Sequence, residues 1–370
     1  FCIFIQIGML PLIIYFQYEA PAFSFLANVA AVPLATCAFT LAFLLIFLPY
    51  TVFHEAISWM IQGVLWISRQ SYGMLTIGHV PFLWVLLFYF MTGLWIWKKN
   101  GQNRHIRISL AYVIMIILIW IPMARRKSLA FLDVGQGDCF VADTKSGAII
   151  FDGGSSSEDQ VGRYRILPYM KYLGYQKIQI AVISHMDIDH YSGIKELLEM
   201  GKIKYLGLPE IPKDETMKKI IGIAKKRGTT IFYLSRGRQI TTKDGSLKVL
   251  HPQKNSQMEK NAASLVMQGK ILGYRVLLTG DVEKEGEEEL LLEELERADI
   301  LKAAHHGSKN STSNEFLQKV QPKQTVISCG KQNRYGHPHL ETIHRLQTYH
   351  TKIYRTDRSG AIIFFKRRDG

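Results

Sequence analysis

The 370 residues carry a net charge of +14 at pH 7 and are 48% hydrophobic, a length for which two or three domains are expected. The apolar residues are unevenly spread. Residues 1–127 hold only Glu19 and Glu55 as acids, against eight Lys and Arg, which excludes an ordinary soluble core for that third. The basic balance suits an anionic partner, and charge alone does not choose between nucleic acid and anionic lipid headgroups.

The chain opens Phe1-Cys2-Ile3-Phe4, as a piece of a longer protein would, and shows no charged segment or small-residue cleavage site of a signal peptide. Four apolar runs, 1–16, 23–50, 80–97 and 108–123, read as spanning or re-entrant segments, a span needing ~20 residues. Residues 51–79 are mildly amphipathic, with Trp59, Trp66 and Tyr72 suited to a membrane interface. Asn28 and Pro33 inside an apolar run need protein or water around them, as in a helix–helix contact or the wall of a pathway. Lys98, Lys99, Arg104 and Arg107 follow the third run, and Arg125, Arg126 and Lys127 follow the fourth. Four against three puts the first loop inside and the remaining chain outside. Cys2 and Cys37 lie in apolar runs; Cys139 and Cys329 lie in strand-like stretches without CxxC spacing and read as buried thiols.

From residue 129 the texture changes to short strands and turns. Strands are expected at 130–134, 139–142 and 148–151, the last ending in Asp152-Gly153-Gly154. Asp152 is either a turn former or a residue holding a ligand loop. A helix over 163–173 leads to the strand 180–183 and then to Ser184-His185-Met186-Asp187-Ile188-Asp189-His190. Two imidazoles and two carboxylates at a strand end, followed by helical spacing at 194–200, are enough for two adjacent divalent ions still short of ligands. His185 and Asp187 face one way off the strand, while Asp189 and His190 sit on the turn opening the helix.

Further strands are expected at 203–208, 230–234 and 247–251, with a lysine-rich amphipathic helix at 213–227 whose charged face is solvated or faces phosphate. The strand 274–278 ends in Thr279-Gly280-Asp281, and Asp281 suits a bridging ligand because one carboxylate can span two metals. An acidic, solvated helix over 283–297 precedes the strand 300–304, which carries His305-His306-Gly307-Ser308 as another ligand pair. After a strand at 325–329, His337 in the loop Asn333-Arg334-Tyr335-Gly336-His337-Pro338 is a ligand, a general acid, a substrate clamp or a turn residue.

Asp133-Val134-Gly135-Gln136-Gly137-Asp138, Phe151-Asp152-Gly153-Gly154, His185-x-Asp187-x-Asp189-His190, Thr279-Gly280-Asp281 and His305-His306-Gly307-Ser308 together resemble the metallo-β-lactamase fold. More narrowly they resemble the version found in the ComEC family of competence membrane proteins. The segments Leu10-Pro11-Leu12 and Phe25-Leu26-Ala27-Asn28-Val29-Ala30-Ala31-Val32-Pro33-Leu34 are similar to that family's membrane domain. The resemblance implies an α/β fold: an αββα sandwich over 128–370, preceded by transmembrane helices over 1–127 that form part of a channel. It also implies a multi-pass protein of the bacterial inner membrane, with the hydrolase on the extracytoplasmic side.

The implied function is DNA uptake in transformation, a metal-dependent nuclease degrading the strand that is not imported. Implied partners are single- or double-stranded DNA, membrane lipids and other competence proteins. The wider superfamily has a histidine where this chain has Asp187. Its isolated third histidine is also missing: between Gly193 and Asp281 only His251 occurs, and the aligned region offers Asn261 and Ser264. One site is thereby oxygen-rich, shifting preference from Zn²⁺ towards Mn²⁺, with one or two ions held.

On this reading His185 and Asp187 hold one ion, Asp189 and His190 the other, Asp281 bridges, and His305 or His306 completes the second site. Asp189 and His337 are the catalytic candidates, His337 binding the phosphate or protonating the leaving oxygen. Asp133, Asp138, Asp152, Asn261, Ser264 and Ser308 support the ligands or touch substrate. Two rivals stand beside it: a hydrolase of another phosphoester such as phosphorylcholine, and an inactive metal domain that only binds DNA for the channel.

Overall fold

The computed structural model describes residues 2–21, 24–47, 51–69, 73–97, 106, 109, 113, 126–258 and 261–367. The chain divides into two compact units, Phe1–Met123 with Lys171–Gln176, and Ala124–Met170 with Lys177–Gly370.

The first unit contains α1 (Cys2–Gln17), α2 (Ser24–Leu44), α3 (Thr51–Arg69) and α4 (Phe82–Trp97), with β1 (Glu19–Pro21) paired antiparallel to β2 (Met74–Thr76). Among the described residues one helical stretch, Ala27–Leu44 within α2, is long and apolar enough to cross a membrane. The apolar helices α1 and α4 have 16 residues each, about 24 Å at ~1.5 Å per residue, against a hydrocarbon core of ~30 Å. Of the four runs expected from the sequence, the first three therefore contain one helix of spanning length and two shorter ones among the described residues. The fourth run, 108–123, lies outside the described residues apart from Ser109 and Val113. The basic positions 98, 99, 104, 107 and 125 that oriented the chain, and Tyr72, also lie outside them. The amphipathic stretch 51–79 contains α3, whose Trp59 and Trp66 are exposed.

The second unit is built on two seven-stranded sheets. The first is ordered β16 (Ile362–Phe365), β3 (Ser128–Phe131), β4 (Phe140–Thr144), β5 (Gly147–Phe151), β6 (Ile178–Val182), β7 (Ile203–Pro209), β8 (Thr230–Leu234). The second is ordered β15 (Lys352–Arg355), β14 (Gln324–Ile327), β13 (Ile300–Lys302), β12 (Tyr274–Leu278), β11 (Val266–Ile271), β10 (Gly245–His251), β9 (Gln239–Thr242). β5, β6, β7 and β8 run parallel, as do β12, β13, β14 and β15.

Side-chain alternation along the strands assigns the layers. Val276 and Leu278, Ile300 and Val326 face the core shared by the two sheets. Leu277, Leu301 and Ile327, one residue along, face a second core with Phe316, Leu317 and Leu346 of the helices Asn314–Val320 and Leu340–Thr348. Strands buried on both faces read as continuous apolar runs, which is how these appear in the sequence. The helices Ile188–Glu199 and Glu215–Lys226 bury Ile194, Leu197 and Leu198, and Met217, Ile220 and Ala224, giving the αββα arrangement.

Two expectations need correction. The acidic helix is shorter, Lys284–Leu291, and its Glu287 is buried rather than solvated, accepting from the backbone N–H groups of Thr312 and Ser313. The strand expected at 300–304 stops at Lys302, because Ala304 to Gly307 form a tight turn with His305 and His306 at φ of 47° and 52°. Cys139 and Cys329 are buried free thiols, and burial pushes the Cys329 thiol up to about 12.

Asp299 ties strand ends together, accepting from Arg275 N at 3.0 Å and pairing with Lys323 Nζ at 2.9 Å. Burial opposes its charge, but these partners outweigh it and lower its pKa. A depressed carboxylate adds stability above its unfolded pKa and loses it as pH falls through the folded one. Asp299→Asn should therefore flatten the loss of thermal stability on acidification below about pH 4, measured as unfolding temperature against pH.

Candidate metal centre

The candidate residues collect where parallel strands end. β5 delivers Asp152, β6 delivers Ser184 to His190, β12 delivers Asp281, β13 delivers His305 and His306, and β14 leads towards His337. The first two strands belong to one sheet and the other three to its partner.

The loops from the first sheet interlock through backbone. Asp138 N donates to Asp189 O at 3.0 Å, Gly153 N to His190 O at 2.8 Å, and Gly154 N to Asp138 O at 3.1 Å. This contact needs glycine at 154: a Cβ there would stand 2.5 Å from Asp189 C and His190 N. Gly154→Ala should cost about 3 kcal/mol, the upper end for overpacking, because backbone rather than a rotatable side chain must yield. Thermal unfolding of the variant is the check.

Each of three imidazoles is anchored through Nδ1. His190 Nδ1 lies 3.0 Å from Asp152 Oδ2, His185 Nδ1 lies 3.0 Å from Ser184 Oγ, and His306 Nδ1 donates to Ser328 O at 2.9 Å. Asp152 Oδ1 also accepts from Ser184 N at 2.7 Å. The opposite Nε2 atoms of all three rings are buried without a hydrogen-bond partner. Two of them converge on Asp281 Oδ2, His190 Nε2 at 3.1 Å and His306 Nε2 at 3.2 Å. His306 Nε2 also lies 3.3 Å from Asp189 Oδ2, and His185 Nε2 lies 3.6 Å from Asp187 Oδ2. One atom from each of Asp138, His190, Asp281 and His306 fits within 4.8 Å of the others, and all four residues are buried.

This donor set fits a divalent cation. Buried nitrogen lone pairs left without partners are costly unless something accepts them, and an anchored Nδ1 with a bare Nε2 is how a ligating histidine is held. The electrostatics show that the Nε2 positions draw positive charge, a proton and a metal ion competing for them. Burial disfavours charge on His190 and His306, but Asp281 with Asp152 or Asp138 overrides it and pushes both imidazoles well above their usual pKa. Burial would raise Asp189, but the His306 ring 3.3 Å away and the positive charge of His190 pull it down to about 2. Among these side chains the carboxylates draw positive charge into the cleft.

The remaining candidates separate into roles. His305 Nε2 lies 3.9 Å from Asp281 Oδ2, while its Nδ1 faces Glu283 Oε1 at 2.9 Å. His337 stands beyond it, with ring centres 5.5 Å apart. Burial, then the charges of His306 and His305, lower His337 to about 4. That shift favours the neutral ring, suited to hydrogen bonding with a phosphate oxygen, the first of its two expected uses. Ser264 Oγ accepts from Asp281 N at 3.3 Å and so steadies that loop. Asn261 lines an open cavity of about 1030 Å³ beside Glu283 and Lys309. Asp133 caps Gly135 N at 3.2 Å, a turn role, and Ser308 Oγ accepts from Asn310 N behind the histidine pair. His251 is turned away, its Nε2 bonding Ala262 O at 2.7 Å.

Sequence reasoning missed Lys302. Its Nζ pairs with Asp138 Oδ2, donates to Gly280 O at 2.8 Å and lies 3.4 Å from Asp281 Oδ1. The signal was present: one lysine inside the apolar stretch Asp299-Ile300-Leu301-Lys302-Ala303-Ala304.

Comparison with known proteins places this geometry. Residues 132–331 match the metallo-beta-lactamase superfamily, and residues 2–102 match the family described as competence protein. ComE operon protein 3 of Bacillus subtilis (strain 168) is 31% identical over 400 residues, covering 99% of this chain and 51% of that protein. Competence protein ComA of Neisseria gonorrhoeae is 30% identical over 248 residues, covering 64% of this chain and 32% of that protein. Among solved structures, the metallo-beta-lactamase fold protein YhfI from Bacillus subtilis is similar with a TM-score of 0.44 and 13% identity, covering 64% of this chain and 99% of its own. The chain spans about half the length, or less, of the curated relatives it matches. It belongs to the metallo-beta-lactamase superfamily and, by joining that domain to a competence-protein segment, to the ComEC family.

Proposed function

We propose that the centre is a divalent-metal site that hydrolyses phosphodiester bonds of DNA, serving DNA uptake through the competence segment. The observation that carries this is the set of three imidazoles with Nδ1 anchored and Nε2 buried and bare, two of them meeting at Asp281 Oδ2. His185, Asp187, Asp189, His190, Asp281 and His306 would hold one or two ions, with His305 at the rim; the Asp187 carboxylate, standing where the superfamily has an imidazole, favours Mn²⁺ over Zn²⁺. A bound divalent ion supplies charge neutralisation at phosphate oxygens and a lowered pKa for water.

The chain's own groups do the rest. Asp189, ionised and partly open to solvent, accepts a hydrogen bond from the attacking water and orients it. Neutral His337 donates one N–H to a phosphate oxygen. Asp152 and Ser328 hold His190 and His306 in the tautomer with Nε2 bare. The basic chain draws the polyanion to the cleft. α2, with its apolar window Ala27–Leu44, and the competence-family match support a membrane protein. A multi-pass inner-membrane arrangement with the hydrolase on the extracytoplasmic side is proposed from the apolar runs and from the four basic residues after the third run against three after the fourth. Lipids and other competence proteins are its proposed partners there.

The test is degradation of single-stranded DNA by the detergent-solubilised chain with Mn²⁺, abolished by chelator and restored on adding the ion back. Cleavage of phosphorylcholine esters with DNA left intact would redirect the reading. The short imidazole set, with His251 turned to Ala262, favours one rival, a metal domain that only binds DNA; metal-independent DNA binding without any cleavage would select it.

A further inference from the structure

Four buried donors, Asp138, His190, Asp281 and His306, lie close enough to close on one ion, yet one side of this group already faces a cation. Lys302 is buried at the end of β13, and its ammonium meets three oxygens: Asp138 Oδ2, Gly280 O at 2.8 Å and Asp281 Oδ1 at 3.4 Å. The ammonium donates to Gly280 O and Asp281 Oδ1 and stands in direct ion contact with Asp138 Oδ2, so its charge is met on every side by oxygen. The contacts split Asp281. Its Oδ1 turns to Lys302, while Oδ2 faces His190, His306 and His305. An ion bound through Asp138 would sit against a fixed positive charge in a dry pocket, where like charges repel strongly.

We propose that Lys302 is a built-in cation that occupies the Asp138 side of the centre and limits how many divalent ions the chain holds. Asp138 then serves the lysine instead of a metal, and Asp281 offers metals a single oxygen. Lys302 acts here as a positioning residue. This rests on the metal-centre part of the preceding proposal and is independent of whether the substrate is DNA.

The test reads metal content and needs no substrate. The full chain in detergent is dialysed against Mn²⁺, and bound metal per chain is measured by atomic emission, with near-ultraviolet dichroism confirming the fold. Lys302→Met, of similar length and neutral, should gain one ion per chain. Lys302→Arg should keep the wild-type number, and adding Asp138→Asn to Lys302→Met should remove the gain. Asp138→Asn alone, which leaves the lysine in place, should leave the wild-type number unchanged. An unchanged or lower count in folded Lys302→Met, or loss of an ion in Asp138→Asn alone, overturns the proposal. Wild-type protein that binds no Mn²⁺ overturns the metal centre as well. Normal metal counts without DNA cleavage overturn only the nuclease reading.

Discussion

Asp281→Ala is expected to release bound metal and lower DNA cleavage by at least about 100-fold, the upper end for losing even a supporting carboxylate. Asp281 is the point on which His190 Nε2 and His306 Nε2 converge, so its removal leaves two imidazoles from different loops with no common partner. Its carboxylate is held well below the usual range: burial opposes the charge, and His190, His306 and Lys302 outweigh it. Asp281→Asn separates charge from shape, since it can keep an oxygen towards Lys302 while losing the anion. Both variants should fall in metal content and in cleavage together, measured by atomic emission and by release of labelled nucleotides. Retained cleavage in either would sink the assignment.

Asp152→Asn should weaken metal binding ~10–100-fold while the protein stays folded. The carboxylate does two jobs: Oδ1 accepts from Ser184 N, and Oδ2 faces His190 Nδ1. A carboxylate only accepts, so the proton resides on Nδ1 and the Nε2 lone pair is available. In the asparagine variant the oxygen must stay on Ser184 N, which turns the amide NH₂ towards Nδ1. That nitrogen must then accept, and the proton moves to Nε2, where it blocks a ligand. Asp152→Ala adds a structural loss of ~1–3 kcal/mol from the unpaired buried Ser184 N–H. Equilibrium dialysis with Mn²⁺ and thermal unfolding separate the two effects. An Asp152→Asn protein that binds Mn²⁺ as tightly as wild type would show that the tautomer is fixed by something else.

The strand tips were legible because an apolar run ending in a cluster of ligands violates the expectation for an ordinary turn. This held for Ser184 to His190, for Thr279-Gly280-Asp281 and for His305-His306. The strands 230–234 and 274–278 came with their bounds. What stayed hidden depends on residues far apart in sequence. β16 is short and half exposed, and it becomes a strand by pairing with β3. The burial of Glu287 depends on the N–H groups of a loop more than 20 residues later. The place of Asp138 among the donors and its partnership with Lys302 exist only once the two sheets are stacked. No local propensity encodes such a contact. The spans over 1–97 were read from hydropathy alone, which sees apolar content but not helix bounds: α1 has the 16 residues expected, while α2 covers Ser24–Leu44 of the run 23–50.

The ligand candidates are divided between layers: His185 to His190 hang from one sheet, Asp281 and His306 from the other. An ion held by both would act as a rivet through the sandwich, resisting any motion that slides or parts its halves. Saturating Mn²⁺ at 100 times its dissociation constant would then raise the unfolding free energy by about 2.7 kcal/mol. A swollen, loosely packed form of the chain, keeping its strands but not their stacking, would have no grip on the ion at all.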